Sequence, residues 1–111
     1  MKVLLINPPI TVYQGGTNPR VYMPIGLLYV AAQLEKEGHS VEVFDALLKA
    51  EFHQTEPSSD ERCFGESWDG LAAVIRNSKP DLIGIGSMFS SQSGNSKKVA
   101  AIAKQVSPEV P

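Results

Sequence analysis

The chain opens on a short apolar run that stops abruptly at two prolines. Residues 2–6 read KVLLI and are followed at once by Asn7, Pro8 and Pro9. A run without apolar–polar alternation is typical of a parallel strand that is covered on both faces. The pair that follows cannot donate backbone hydrogen bonds, so the strand has to end there. The sequence therefore predicts a doubly covered strand, and with it a layered α/β fold.

A helical pattern and a second strand follow. Pro24 suits the first turn of a helix and Gly38 suits its left-handed stop, which predicts a helix between them. The predicted apolar face of this helix consists of Ile25, Leu28, Ala32 and Leu34. Residues 40–46, SVEVFDA, predict the second strand. Residues 7–23 are rich in Pro, Gly, Thr and Asn, which predicts a long loop. Residues 47–65 carry no consistent period, and we predict an irregular surface segment there.

The rest of the chain continues the alternation of strands and helices. Ser67 is the predicted N-cap of a second helix, and residues 79–87, KPDLIGIGS, predict the third strand. The last helix places Val99, Ile102, Ala103 and Val106 on one face. Alternating strands and helices predict an open parallel sheet with right-handed crossovers and helices on both faces. Three strands are few for such a sheet, so we expect the C-terminal strands to be missing and residues 1–111 to be part of one domain.

Composition excludes several classes of function. A net charge of −2 gives no electrostatic reason to expect nucleic acid or an anionic membrane as a partner. No apolar run approaches the length of a membrane span, and the single cysteine, Cys63, cannot form an internal disulfide or a cysteine-based metal cluster. We therefore expect a cytoplasmic protein.

In an open α/β sheet, ligands bind beyond the carboxyl ends of the strands, here near residues 7–23, 45–48 and 87–95. His39 belongs to the opposite edge and is interpreted as a turn residue. The expected loops lack G-x-G-x-x-G and GK[ST] phosphate motifs. Asn7–Pro8 and Ser87 stand where a receiver domain needs acidic residues, and no nucleophile–base pair is visible. Two interpretations of Asp45 are open. It is an ordinary aspartate at the end of a strand, or it is the carboxylate that binds ribose in dinucleotide enzymes.

The groups left at this edge are uncharged. Hydroxyls, amides and apolar side chains come from Asn7, Tyr13, Tyr22, Ser87, Met88, Phe89, Ser90, Ser91, Gln92 and Ser93. Such a surface suits a large and mostly uncharged ligand. A second interpretation is also open, in which the serine run is a flexible loop with a helix cap at Ser93 or Asn95.

Three segments together resemble a known family. They are KVLLINPP, PIGLLYVAAQLEKEGHSVEVFDA and KPDLIGIGSMFSSQ, and they span nearly the whole chain apart from residues 47–65. Their order resembles that of the N-terminal cobalamin (vitamin B12)-binding domain of cobalamin-dependent radical S-adenosylmethionine (SAM) enzymes. The resemblance implies a Rossmann-like (flavodoxin-like) sheet that holds the corrin at the carboxyl ends of its strands.

The resemblance also implies positions for the cofactor. Asn7, Pro8 and Pro9 would lie at the corrin-facing edge, with Tyr22 nearby. The nucleotide tail would be bordered by Ser87, Met88, Phe89, Ser90 and Ser91. Phe89 departs from the S-x-L element of cobalamin domains, where leucine stands. No catalytic residue and no metal ligand is assigned to this chain.

Two motifs of related enzymes are absent. Residues 7–13 contain neither the Asp nor the His of the D-x-H-x-x-G loop, which implies base-off cobalamin without a protein imidazole from this loop. The C-x-x-x-C-x-x-C cluster motif is also missing. The 4Fe-4S cluster and S-adenosylmethionine would therefore belong to a downstream radical SAM domain, as partner of this one.

The functional expectation follows from this resemblance. The chain would be the cobalamin-binding part of an enzyme for methyl transfer or ring rearrangement, and inactive alone. The alternatives are a non-catalytic Rossmann-like scaffold or interaction module, and a fragment of a nucleotide-binding α/β enzyme. An exposed edge of the third strand would favour self-association.

Overall fold

The computed structural model describes residues 1–13, 23–54 and 61–111. Its strands are β1 (Lys2–Asn7), β2 (Ile10–Tyr13), β3 (Ser40–Asp45), β4 (Phe52–Gln54), β5 (Glu61–Phe64) and β6 (Leu82–Ile85). Its α-helices are α1 (Ile25–Lys36), α2 (Trp68–Ser78) and α3 (Ser93–Val106), and short 3-10 helices span Ala46–Leu48 and Ser90–Gln92. No helix in these described ranges is long and apolar enough to cross a membrane.

The main sheet is parallel and has the strand order β3-β1-β6. Val3 on the central strand lies opposite Val41 on one side and Leu82 on the other. On the outer side of β6, the Ile83 amide donates a hydrogen bond to the Pro111 carbonyl at 2.9 Å. The predicted α/β class with a Rossmann-like parallel sheet is confirmed.

β1 is buried on both faces, as its unbroken apolar run predicts. Val3 and Leu5 face α1 and pack with Ala31, whereas Leu4 and Ile6 face the opposite side. The core on that opposite side is completed from α2 and α3 by Leu71, Ile75, Val99 and Ala103. Because successive residues of a strand point to opposite faces, one apolar run supports helices on both sides of the sheet.

The predicted apolar face of α1 is wrong in three of its four residues. The side chains that pack against the sheet are Leu27, Ala31 and Leu34, and those left exposed are Ile25, Leu28 and Ala32. The helix is apolar around most of its circumference, so periodicity cannot select the buried stripe. Contact with the sheet selects it.

A second, antiparallel sheet with the order β2-β5-β4 corrects two sequence predictions. The predicted loop after Asn7 contains β2, and the predicted irregular segment contains β4, β5 and the buried side chains of Cys63 and Phe64. These strands have three or four residues each, too few to carry a period. Residues 14–22 and 55–60 lie outside the described ranges.

The helix ends agree with the sequence in two places and differ in a third. Ser67 caps α2 by accepting a hydrogen bond from the Gly70 amide at 3.0 Å, and Gly38 follows α1 with φ of +92°. α3, however, has Gln92 at its N-cap without a side-chain cap bond. Neither Ser93 nor Asn95 is the cap, since both lie within the helix.

Candidate functional site

A pocket of about 390 Å³ lies at the carboxyl edge of the parallel sheet. The ends of β1 and β6 form its floor, and the first turns of α1 and the loop before α3 form its walls. Its lining residues are Asn7, Pro8, Pro9, Ile10, Met23, Pro24, Gly26, Leu27, Val30, Leu47, Gly86, Ser87, Met88, Phe89, Gln92 and Ser96. The pocket therefore occupies the place where ligands bind in open α/β sheets.

The lining is apolar with a few uncharged polar groups. Asn7, Ser87, Gln92 and Ser96 provide those groups, and none of the described lining residues is ionisable. Two methionines on its rim, Met23 and Met88, are 68% and 72% exposed. A surface of this kind suits a large neutral ligand that offers apolar area and scattered hydrogen-bonding groups.

Asn7 joins two strands of the sheet at the floor of this pocket. Its Nδ2 donates a hydrogen bond to Oδ1 of Asp45, at the end of β3, over 2.9 Å. The same carboxylate oxygen accepts the Leu47 amide at 3.1 Å and so caps the short 3-10 helix after β3. Asp45 is therefore a structural partner of Asn7, a role that the sequence alone does not reveal.

A polar network ties β2 to the start of α3 beside the pocket. The Thr11 amide donates to Oε1 of Gln92 at 2.9 Å, and Gln92 Nε2 donates back to the Thr11 carbonyl at 3.2 Å. Asn95 Nδ2 donates to the Pro9 carbonyl at 2.9 Å. Ser96 Oγ donates to the Gly86 carbonyl at 2.9 Å. Gln92, Asn95 and Ser96 thus connect the start of α3 to β2 and to the end of β6.

The structure brings six of the nine predicted cofactor residues together. Those that line the pocket are Asn7, Pro8, Pro9, Ser87, Met88 and Phe89. Ser90 and Ser91 lie in the exposed 3-10 helix beyond it and are not among the lining residues. Tyr22 lies outside the described residues.

Sequence reasoning missed the wall contributed by α1 and by the turn after β3. Gly26, Leu27 and Val30 line the pocket from α1, and Leu47 lines it from the turn. The order of the elements is one signal that points to them. A helix that connects β1 to the next parallel strand begins at the carboxyl edge of the sheet, where the pocket lies. Their identity as lining residues depends on the phase of α1, which the pattern does not define.

Two glycines line the pocket and differ in the space around them. A Cβ added at Gly26 would meet no atom within 4 Å. One at Gly86 would lie 3.8 Å from Asn7 Oδ1, in ordinary contact. Neither glycine places a side chain in the pocket, and the uncharged polar and apolar groups around them match the neutral amides and alkyl groups at the periphery of a corrin. These residues therefore fit cobalamin.

Neither histidine of the chain lines the pocket. His39 lies at the opposite edge of the sheet, where its Nδ1 is 3.3 Å from the terminal amine of Met1. His53 lies on β4, opposite Cys63 on β5. Within the described ranges, no group of three or more His, Cys, Asp or Glu side chains is arranged to hold a metal ion.

Cys63 borders a separate recess of about 210 Å³ together with His53 and Glu66. Burial raises the pKa of its thiol to about 11, and the positive charge of Lys98 opposes part of that rise. A thiol with such a pKa is protonated at neutral pH and is a poor nucleophile. The surroundings of Cys63 in this recess therefore do not activate its thiol as a nucleophile.

Comparison with known proteins agrees with this geometry. Residues 15–111 match the family model of the B12 binding domain. The chain is also 36% identical over 110 residues to the cytidylyl-2-hydroxyethylphosphonate methyltransferase of Streptomyces wedmorensis. That match covers 97% of the chain and 20% of the relative, so the chain spans about one fifth of the relative's length. No solved structure matches the chain significantly. The chain belongs to the B12-binding domain family, which confirms the resemblance to cobalamin-binding domains.

Proposed function

We propose that this domain binds cobalamin in the pocket at the carboxyl edge of its parallel sheet. The observation that carries the proposal is the uncharged, open lining formed by Asn7–Pro9 and Ser87–Phe89 at the ligand edge of the fold. Asn7 and Ser87 would offer hydrogen bonds to corrin side chains, and Pro8, Pro9 and Phe89 would offer apolar contact. When bound, cobalamin supplies a cobalt centre that can carry a methyl group.

We further propose that the cobalamin is bound base-off and without an imidazole ligand from this chain. His39 lies at the opposite edge of the sheet, and His53 belongs to the recess beside Cys63. Asn7, Pro8 and Pro9 occupy the floor of the pocket, where their side chains include no group that binds cobalt strongly.

The whole protein is proposed to be a methyltransferase. The support is the methyltransferase relative from Streptomyces wedmorensis, whose name specifies transfer to a cytidylyl-2-hydroxyethylphosphonate. The family resemblance adds a radical SAM domain as partner, which would hold a 4Fe-4S cluster and S-adenosylmethionine. This chain would then contribute the cobalamin site, and the reaction would take place with the partner domain.

The test is a titration of the full-length protein with hydroxocobalamin, followed by visible absorption and by retention of the cofactor on gel filtration. We expect a shift of the visible spectrum and stoichiometric retention. A protein that causes no shift and retains no cofactor would overturn the proposal and favour a scaffold without cobalamin. After reduction, electron paramagnetic resonance should show no superhyperfine splitting by an axial nitrogen. Such splitting would contradict the base-off, histidine-free state.

Two glycines provide a matched pair of variants for the location of the site. Gly26 and Gly94 are both helical, and a Cβ at either meets no atom within 4 Å. Gly26 lines the pocket, whereas Gly94 is not among the lining residues. We expect Gly26→Leu to fill the pocket and weaken binding at least about tenfold, with Gly94→Leu unchanged. Equal affinities of the two variants would place cobalamin elsewhere.

A further inference from the structure

We propose that Asp45 is a positioning residue for Asn7, and that Asn7 Oδ1 is the acceptor that selects a neutral amide N–H of the ligand over a carboxylate. The inference rests on the proposed cobalamin site and names the chemistry of one contact within it. It assigns Asp45 a role although its side chain is not among those that line the pocket.

The orientation of the Asn7 amide follows from the chemistry of its partner. An ionised aspartate has only acceptor atoms, so the group that faces it has to be a donor. Asn7 therefore turns Nδ2 toward Asp45, at 2.9 Å. A flip of the amide would bring two oxygens together and lose a charge-assisted hydrogen bond. Asp45 itself is held by the Leu47 amide, so the orientation is set by the backbone after β3.

This orientation leaves the carbonyl oxygen of Asn7 on the side of β6. Oδ1 lies 3.8 Å from the place that a Cβ of residue 86 would occupy, and residue 86 is glycine. Among the hydrogen bonds of the described residues, Oδ1 accepts none. Asn7 and Gly86 both line the pocket. Asn7 Oδ1 is thus an acceptor without a donor among the described residues, in a residue that lines the pocket.

An oriented acceptor discriminates between ligands by charge. It accepts a hydrogen bond from an amide N–H, whereas a carboxylate oxygen in the same place would meet it with like partial charge and no proton to share. No lining residue among those described carries a positive charge that could compensate a carboxylate. Cobalamin carries neutral amides around its corrin ring, so this contact would favour the intact cofactor over forms with a hydrolysed amide.

The test compares hydroxocobalamin with its monocarboxylate derivatives, in each of which one peripheral amide is hydrolysed. Dissociation constants are measured for the full-length protein by visible titration. We expect at least one derivative to bind about tenfold more weakly than hydroxocobalamin. Asp45→Ser keeps a cap for the Leu47 amide but is too short to hold Asn7. It should weaken hydroxocobalamin binding about threefold to tenfold and reduce the preference for the amide.

Two further variants separate positioning from folding. Asp45→Asn keeps an oxygen for both the Asn7 and the Leu47 donors, and it should restore affinity and preference. Gly86→Ala makes only ordinary contacts at 3.6–3.8 Å but covers Asn7 Oδ1 with a methyl group, so it should weaken binding without unfolding the domain. Asp81→Asn is the control, because Asp81 accepts the Lys2 amide at the opposite edge of the sheet. Its affinity should equal that of the wild type.

The outcomes distinguish the two proposals. A wild-type protein that does not bind hydroxocobalamin overturns the proposed function and this inference with it. A wild-type protein that binds, with Asp45→Ser and Gly86→Ala unchanged in affinity and preference, overturns the inference alone. Where Asp45→Ser lowers the melting temperature measured by circular dichroism, the preference of Gly86→Ala for hydroxocobalamin over its monocarboxylate derivatives decides the question. An unchanged preference in that variant overturns the inference.

Discussion

Gly65 follows β5 of the antiparallel sheet and packs against Ala46 and Pro9, which follow strands of the parallel sheet. Its replacement by alanine tests how tightly the two sheets pack there. Its φ is +124°, a backbone conformation that residues with a side chain rarely adopt. A Cβ there would lie 2.7 Å from the Ala46 carbonyl oxygen and 3.0 Å from Pro9 Cβ. The backbone cannot easily yield, because Gly65 donates to the Glu51 carbonyl at 2.9 Å and Glu66 donates to the Ala46 carbonyl at 2.8 Å.

The structure provides a matched control for the magnitude. Gly38 also has a positive φ, +92°, but a Cβ there would meet no atom within 4 Å. Gly38→Ala should therefore cost only the conformational term, about 1–3 kcal/mol of the free energy of unfolding. Gly65→Ala should add an overpacking term of about 1–3 kcal/mol, since one contact is with backbone. The difference between the two variants isolates the contact between the sheets.

Equilibrium unfolding in urea measures both variants. With a slope of about 1–3 kcal/mol per molar urea, a difference of about 2 kcal/mol separates the two midpoints by about 1 M. Cobalamin titration of Gly65→Ala gives a second reading, because Pro9 lines the pocket and should be displaced. Equal midpoints for Gly38→Ala and Gly65→Ala would refute the close packing of Gly65 against Ala46 and Pro9.

Three further predictions concern other parts of the domain. Ser67→Ala removes the acceptor of the Gly70 amide and should lower the free energy of unfolding by about 1 kcal/mol, and an unchanged urea midpoint would contradict the cap. Burial raises the Cys63 pKa from 9.0 to about 11, so ionisation favours the unfolded chain above pH 9. The stability of the wild type relative to Cys63→Ala should therefore fall between pH 9 and 11 in urea melts, and a constant difference would disprove the shift. Pro111 bonds to the outer edge of β6 at Ile83, and the rest of that edge should still favour self-association of the 111-residue chain, measured by light scattering. A strict monomer at high concentration would count against it.

The position of the candidate site was predictable because it depends on strand order and on the direction of the chain. KVLLI followed by two prolines indicates where β1 ends, and parallel strands bring Asn7 and Ser87 to the same edge. The absence of phosphate and histidine motifs at that edge then favoured a neutral ligand. What the prediction lacked was the opposite wall, because α1 is apolar on several faces and its phase is defined only by packing against the sheet.

The sequence by itself determined the elements whose signals are local. An unbroken apolar run predicts a strand covered on both faces, Ser67 predicts a cap, and Gly38 predicts a helix end. The tertiary structure alone decided the features that depend on residues distant in the chain. Asn7 meets Asp45 across 38 residues, and β2 pairs with β5 although each has only four residues. Such contacts form because the assembled sheets bring together residues that are far apart in the sequence. A local sequence pattern carries no information about partners at that separation.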